Sequence, residues 1–427
     1  MLPELPDLFD AAVAAVMPQT MIPAVLHLDD GVLHIDGESF DLERYNRLFL
    51  CGAGKASLSM AEACETILGK RIDGGVIVSP ETERPLRYCS YVHSTHPIPS
   101  QESVAAADRM IEQFDAASQE DLILFLLSGG SSALIEKPIA PVTLEAMAAT
   151  TKLLLANGCS IEETNAVRKH LSLIKGGRLA RLTKARVVVL VISDVIGDDF
   201  ATIGSGPLYC DPSTYAAAAE LVREKGIANR LPGSVMELLD AGANGAVGET
   251  PKTVSPQVTH LLLGSNRRAL EAAAKSALEH GRDVRLKKTP LEGDVAAAAE
   301  SFCRAFEALP PGTLLLQGGE TTVTVGGSGR GGRNQHFALL CLQRLKTNFV
   351  YDIICAGTDG IDGNSKAAGA RISDELYGHC MPKEIEEALE QFDSNTFFAQ
   401  KNALIETGYT GTNVMDIVIA YKGEDNG

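Results

Sequence analysis

The stretch GAGKAS, Gly52 to Ser57, breaks the apolar run NRLFL and leads into ASLSMAEACETILG. A buried strand followed by a helix places this turn at a helix start, where free N–H groups favour an anion. Gly52, Gly54 and Ser57 would line that anion and Lys55 would add charge. A dinucleotide fingerprint requires a third glycine where Ser57 stands, and an acid at the end of the next strand, GGVIVS, which ends in Ser79. A nicotinamide cofactor is therefore disfavoured. A nucleotide phosphate loop requires a glycine at Phe49 and a hydroxyl at Ala56. Lys55 sits in neither frame, and the plain alternative is a packing turn with a solvated lysine.

Other loops offer complementary chemistry. In SGGSSAL, Gly129 and Gly130 let the backbone approach a ligand while Ser131 and Ser132 add donors, which suits a carboxylate or phosphate; a glycine turn with a serine cap is the alternative. SDVIGDD supplies Asp194, Asp198 and Asp199, of which Asp194 directly follows a strand, where it could meet a hard divalent cation or a substrate hydroxyl. IGSGP, with Ser205 and Gly206, offers a backbone N–H nest. GGSGRGGRNQ is the most cation-rich glycine loop: Arg330 and Arg333 bring planar donors, with Gly331, Gly332 and Asn334 beside them. GGETT places Glu320 at a strand end, and GTDGIDG places Asp359 and Asp362 in an open loop, so Asp194, Asp198, Glu320 and Asp359 are the candidate metal ligands. His96 in THPIPS and the cations Lys169, His170 and Lys175 of AVRKHLSLIKGGRLA read more simply as structural or solvated groups. Neither a G-x-S-x-G elbow nor HExxH occurs, so hydrolase chemistry has little support.

These loops need elements to hold them. Nearly every apolar run of strand length ends in small polar residues and is followed by a helical pattern, which predicts largely parallel sheets with ligands at the strands' carboxyl ends. With 427 residues, 45% hydrophobic and 22% charged, the chain has room for two cores. The stretch Leu238 to Gln257 is rich in Gly, Ala and Pro and reads as a linker, giving domains of residues 1–245 and 255–427. The last strand, NVMDIVIAY, could complete either sheet.

A net charge of -17 without a Lys/Arg run argues against a nucleic-acid partner. Nine scattered cysteines with no CxxC pair suggest neither zinc nor disulfides, and point to a reducing cytoplasm. The acidic N-terminus lacks signal-peptide features, and no apolar run is long enough for a bilayer. The composition leaves the oligomeric state open, a homo-oligomer included.

Taken in order, GAGKAS, SGGSSAL, NAVRKHLSLIKGGRLA, SDVIGDD with IGSGP, GGETTVTV, GGRNQ, GTDGIDG with AGA, and TGTNVMD resemble the bacterial-type glycerate 2-kinases that carry a MOFRL domain. The resemblance covers nearly the whole chain. It implies an α/β protein of two domains, a Rossmann-like three-layer N-terminal domain with a mostly parallel sheet and a smaller MOFRL-type domain, with the site between them. It implies phosphorylation of D-glycerate to 2-phosphoglycerate with ATP and Mg2+, and it places the family's two principal active-site cations on Lys55 and Arg333. Two positions depart from the family pattern: His336 stands where glutamate is common, and Met415 where TGTNVND has asparagine. Relatives also carry the name hydroxypyruvate reductase, which would require NAD(P)H; a non-catalytic metabolite-binding protein is the third reading.

Overall fold

In the computed structural model, which describes residues 4–81 and 84–423, the chain divides into two compact units. One comprises Ile22–Leu263; the other joins the N-terminal segment up to Met21 with the residues from Gly264 onward.

The first unit begins with a small antiparallel sheet, β1 (Leu26–Asp29), β2 (Val32–Ile35) and β3 (Glu38–Asp41). Both of its hairpins turn on Asp-Gly pairs, Asp30-Gly31 and Asp36-Gly37, with positive φ at every central residue, the geometry that matches strand twist. The main sheet follows: β4 (Arg47–Ala53), β5 (Val76–Ser79), β6 (Ser90–His93), β7 (Asp121–Leu127), β8 (Arg186–Ile192) and β9 (Val258–Gly264), in the order β6-β5-β4-β7-β8-β9. The pairs β4–β5, β4–β7, β5–β6 and β7–β8 are all parallel. Strand β7, DLILFLL, is buried at every residue, as expected for a sheet covered on both faces. Phe125 on β7 meets Phe114 edge-on at 5.8 Å, in a core that also holds Cys51, Met110 and Val189. The strand order is that of a doubly wound Rossmann-like sheet. Its direction of progress reverses between β4 and β7, so the turns after those two strands flank the crevice where such sheets bind ligands.

The stretch Leu238 to Gln257 is not a linker. Its start belongs to the helix Gly233–Ala243, with Leu238 and Leu239 buried beside Tyr215. Farther on, Glu249 accepts from His170 at 3.0 Å and Thr250 donates to buried Asp211 at 3.0 Å. Glycine and alanine here permit close packing: a Cβ on Gly242 would overlap the Tyr215 ring. The chain returns to the other unit at Gly264, the last residue of β9.

In the second unit the N-terminal helix Leu5–Ala15 packs on the helix Asn266–Glu279. The strands are β10 (Asp283–Leu286), β11 (Leu291–Asp294), β12 (Thr313–Thr322), β13 (Tyr351–Gly357), β14 (Gly369–Ser373), β15 (Leu404–Ile405) and β16 (Asp416–Lys422). Their order is β10-β12-β16-β13-β14-β15, with β11 also paired to β12. This sheet is mixed, which corrects the expectation of largely parallel sheets for this half. Strands β10 and β11 run parallel to β12, but β16 is antiparallel to both β12 and β13, and β14 to both β13 and β15. The connection from β13 to β14 carries no helix, and a parallel pair would need such a crossover. The last strand therefore lies in the middle of the second sheet.

Among the described residues, no single helix is long and apolar enough to cross a membrane. The nine cysteines are free thiols.

Candidate functional site

In the first unit, the turns after β4 and β7 are pressed together at the switch point. Gly54 has φ 145°, and a Cβ there would overlap the Ser128 hydroxyl. The Lys55 N–H donates to Gly129 O at 2.9 Å, and the Ala56 N–H donates to Ser128 Oγ at 3.0 Å. Ser57 is wholly buried, and its hydroxyl bonds the carbonyls of Gly54 at 2.8 Å and Val78 at 2.7 Å. The expected anion site on the N–H groups of this turn is thereby corrected. The N–H groups of Gly54, Lys55, Ala56 and Ser57 all bond protein oxygens, so the turn's own contribution is the half-buried Lys55 side chain. Gly52 lies inside β4, where a Cβ would come within 2.8 Å of Leu126; it is a packing glycine.

The SGGSS turn carries the convergence. A Cβ on Gly129 would overlap the Asp194 carboxylate, and one on Gly130 (φ 84°) would lie 3.2 Å from Lys55 Cγ and 3.0 Å from the His96 ring. Lys55, Asp194 and His96 therefore surround two glycines whose missing side chains make room for them. His96 is exposed, yet the protein packed around its ring, and then the nearby Lys55 charge, lower its pKa to about 4, so the ring is neutral at pH 7. Ser131 is buried, and its hydroxyl has no hydrogen-bond partner among the described residues. Ser132 Oγ pairs with Ser205 Oγ at 2.9 Å and accepts from Arg168 Nη2 at 3.0 Å. Behind it Lys175, fully buried, donates to Ser132 O at 2.6 Å and pairs with Glu136 at 2.8 Å; burial lowers its pKa to about 8.

Two further expectations for this unit need correction. The IGSGP nest is closed, because the Ser205 and Gly206 N–H groups donate to Thr202 O and Ile203 O at 2.9 Å each. Of the acids in SDVIGDD, Asp199 caps its own loop, accepting from the Ala201 N–H at 3.0 Å and the Thr202 hydroxyl at 2.7 Å. Asp198 sits at φ 55° on the following turn. Lys169 and His170 are structural: they face buried Asp211 at 3.3 and 3.9 Å.

In the second unit, antiparallel β16 begins at the end of β13 and late in β12, with Asp416 opposite both Gly319 and Gly357. That register brings Asp416 to Arg333, the first residue of the helix Arg333–Leu345. Arg333 donates to Asp416 through Nε at 2.6 Å and Nη2 at 3.0 Å, and its Nη1 meets Glu320 at 2.6 Å. Burial alone would lower the Arg333 pKa; Asp416 and then Glu320 outweigh it, and the pKa is raised. The helix start is already occupied by an internal anion. The Asn334 and Gln335 N–H groups donate to the Asp362 carboxylate at 3.0 and 2.9 Å, and a Cβ on Gly332 would overlap it. Burial raises Asp362 to about 6 despite those bonds, with Asp416 adding to the rise. The expected anion-lining roles of Gly331, Gly332 and Asn334 are corrected accordingly: Gly331 donates to Asn364 Oδ1 at 2.8 Å, Gly332 makes room for Asp362, and the Asn334 amide donates to Asp416 at 2.9 Å. Arg330 is exposed. Asp359 Oδ1 accepts from the Ile361 N–H at 3.1 Å.

The two departures from the family pattern have local accounts. His336 stacks on Phe392 at 5.0 Å with the rings 5° apart, and burial lowers its pKa against the pull of Asp294. Met415 sits at φ 69°, a left-handed position that suits asparagine better than methionine.

Asp416, Glu136 and Arg168 are site-lining groups that the sequence reading did not single out. Arg168 stood in the run RKH, where nothing local distinguishes the cation that turns toward the glycine turn. Among the described residues, no group of three His, Cys, Asp or Glu side chains is arranged to hold a metal ion. A site that takes Mg2+ through one or two carboxylates plus phosphate oxygens is still compatible with Asp194, which lies against the SGG turn.

Family models match two parts of the chain: a domain of unknown function, DUF4147, over residues 4–240, and the MOFRL family over residues 313–416. Over 419 residues the chain is 33% identical to glycerate 2-kinase of Pyrococcus horikoshii, covering 96% of this chain and 94% of that protein. It is 36% identical over 386 residues to D-glycerate 2-kinase of Thermotoga maritima, covering 88% and 90%. The crystal structure of glycerate kinase from Thermotoga maritima superposes with a TM-score of 0.84 at 33% identity, covering 97% of this chain and 98% of that one.

Proposed function

The chain belongs to the glycerate 2-kinase family, and from that premise we propose that it transfers the γ-phosphoryl group of ATP to the 2-hydroxyl of D-glycerate, forming 2-phosphoglycerate. The observation that carries this reading is the switch-point cluster, in which Lys55, Asp194 and the Gly129-Gly130 turn converge at the carboxyl ends of parallel strands. Phosphoryl transfer asks a protein chiefly for positioning and for charge placed where the transferred group passes. Lys55 supplies that charge from the first unit. In the second unit, three of the five N–H donors of Arg333 are engaged by Asp416 and Glu320, which leaves two for an anionic oxygen. Asp416 and Glu320 then act as positioning residues that hold the guanidinium plane. Mg2+ would be held by Asp194 together with phosphate oxygens, where it would neutralise charge on the nucleotide. A reducing cytoplasm suits the nine free thiols.

The test is the identity of the product. Incubation with ATP, Mg2+ and D-glycerate should yield 2-phosphoglycerate by phosphorus NMR, with matching ADP release. Oxidation of NADH or NADPH with hydroxypyruvate, in the absence of ATP-dependent turnover, would reverse the reading in favour of a reductase. Binding without turnover of either kind would leave a metabolite-binding protein.

A further inference from the structure

The helix Ile161–His170 ends in three consecutive basic residues, and they do different work. Lys169 and His170 face Asp211 and Glu249, within the packing of the first unit. Arg168 turns the other way. Its bonds go to two neutral oxygens, Ser132 Oγ at 3.0 Å and Asn165 Oδ1 at 3.4 Å. The carboxylate it senses is Glu136, but both oxygens of Glu136 are engaged, one by the Ser172 hydroxyl at 2.6 Å and the other by Lys175 at 2.8 Å. No ion pair joins Arg168 to a carboxylate among the described residues. Burial lowers its pKa, and Glu136 offsets this only in part. Arg168 and Lys175 thus share one carboxylate, and the locality carries an excess of positive charge. Partly desolvated guanidinium groups are normally paired, because taking the charge out of water costs several kcal/mol. A cation kept without its anion points to an anion that arrives from solution.

The surroundings describe that anion. Arg168, Glu136 and the exposed Lys152 line a recess of about 470 Å³ whose other walls include Pro97, Leu144 and Met147. These walls are largely apolar, and in such surroundings a charge-assisted hydrogen bond gains strength. A planar fork matches a carboxylate with two parallel bonds. The recess is also close to the proposed chemistry. Ser132, which accepts from Arg168, lies two residues after Gly130, whose Cβ position is 3.2 Å from Lys55 Cγ. The buried Ser131 hydroxyl next to it has no hydrogen-bond partner among the described residues.

We propose that Arg168 receives the carboxylate of the acceptor, making this recess the subsite for a small 2-hydroxycarboxylate. Arg168 is then the residue that distinguishes an acid from a neutral polyol. The proposal rests on the glycerate kinase reading for the identity of the acid.

The experiment uses the full chain, with Arg168→Met and Arg168→Lys. Loss of a hydrogen-bonded charge partner corresponds to roughly 10- to 150-fold in binding. KM for D-glycerate should therefore rise by about that factor, while KM for ATP stays within about twofold. The preference for D-glycerate over glycerol, as a ratio of kcat/KM, should fall by the same factor. Calorimetric binding of D-glycerate without nucleotide should weaken in parallel; this measurement needs no turnover, so it judges Arg168 even if phosphorylation fails and the kinase reading falls. A rise in KM for ATP with an unchanged KM for glycerate would assign Arg168 to the nucleotide and overturn the proposal, as would unchanged binding of D-glycerate. If Arg168→Met does not fold, the wild type decides: D-glyceramide, the neutral amide, should bind at least about tenfold more weakly than D-glycerate. Equal binding would overturn the proposal.

Discussion

Replacing Arg333 by alanine should reveal whether its carboxylate partners depend on it. The sequence alone invites the view that Arg333 is a loop cation whose removal costs under about 0.5 kcal/mol. The structure predicts otherwise. The Asp416 side chain is 8% exposed and Arg333 33%, and the pair shares bonds of 2.6 and 3.0 Å. Asp362, raised to about 6 by burial, lies beside them. Removing one partner of a buried pair costs about 3–5 kcal/mol, because the other charge is left behind. Since Arg333 is one-third exposed, water can reach part of the vacated site, which reduces this to about 2–3 kcal/mol. At roughly 2–4 °C per kcal/mol for a unit of this size, the melting temperature should fall by about 4–12 °C. Scanning calorimetry on Arg333→Ala, Asp416→Asn and the double variant is the assay. The double variant should melt above Arg333→Ala, because it no longer buries an unpaired Asp416 charge. An unchanged melt in Arg333→Ala, or a double variant less stable than the sum of the singles, would refute the reasoning. Turnover of Arg333→Ala is therefore interpretable only below its own melting transition, and Arg333→Lys, which keeps charge but not the planar fork, is the cleaner kinetic probe.

Two other outcomes follow from the first unit. Lys55→Ala should lower turnover by about two to three powers of ten, the loss seen when one preorganised donor to the reacting group is removed; near wild-type turnover with an intact melt would refute its role. His96 should titrate near pH 4, well below its usual 6.5, by proton NMR, and Lys55→Met should return the midpoint part of the way, since burial is the larger cause. Because the folded-state pKa is depressed, the native state binds fewer protons than the unfolded state between about pH 4 and 6.5, so this group's contribution to stability is lost as pH falls through that window. His96→Gln should flatten that slope, and a midpoint near 6.5 in the wild type would remove the basis for both statements.

What the sequence determined by itself is what local physics encodes. The short run DLILFLL, closed by Ser-Gly-Gly, has the length and flank of a buried strand rather than a helix, and its position between helical patterns implies the parallel first sheet. The same reasoning places Lys55, the SGGSS turn and Asp194 at strand ends, where chemistry concentrates in such folds. Which atoms of those turns face a ligand was a tertiary matter. Ser57 has the composition of a phosphate donor, yet the close packing of two turns gives its hydroxyl to Gly54 and Val78. The stretch Leu238 to Gln257 has the composition of a linker, yet Gly242 packs against Tyr215, whose ring leaves no room for a Cβ there. Asp416 reaches Arg333 across 83 residues only because β16 enters the second sheet antiparallel between β12 and β13. Arg168 is one of three adjacent basic residues whose roles differ by the turn of a helix. Periodicity and turn chemistry depend on near neighbours and are written along the chain; the partners of a buried charge depend on strand order and on which face of a helix meets the sheet, and these are decided only when the core closes.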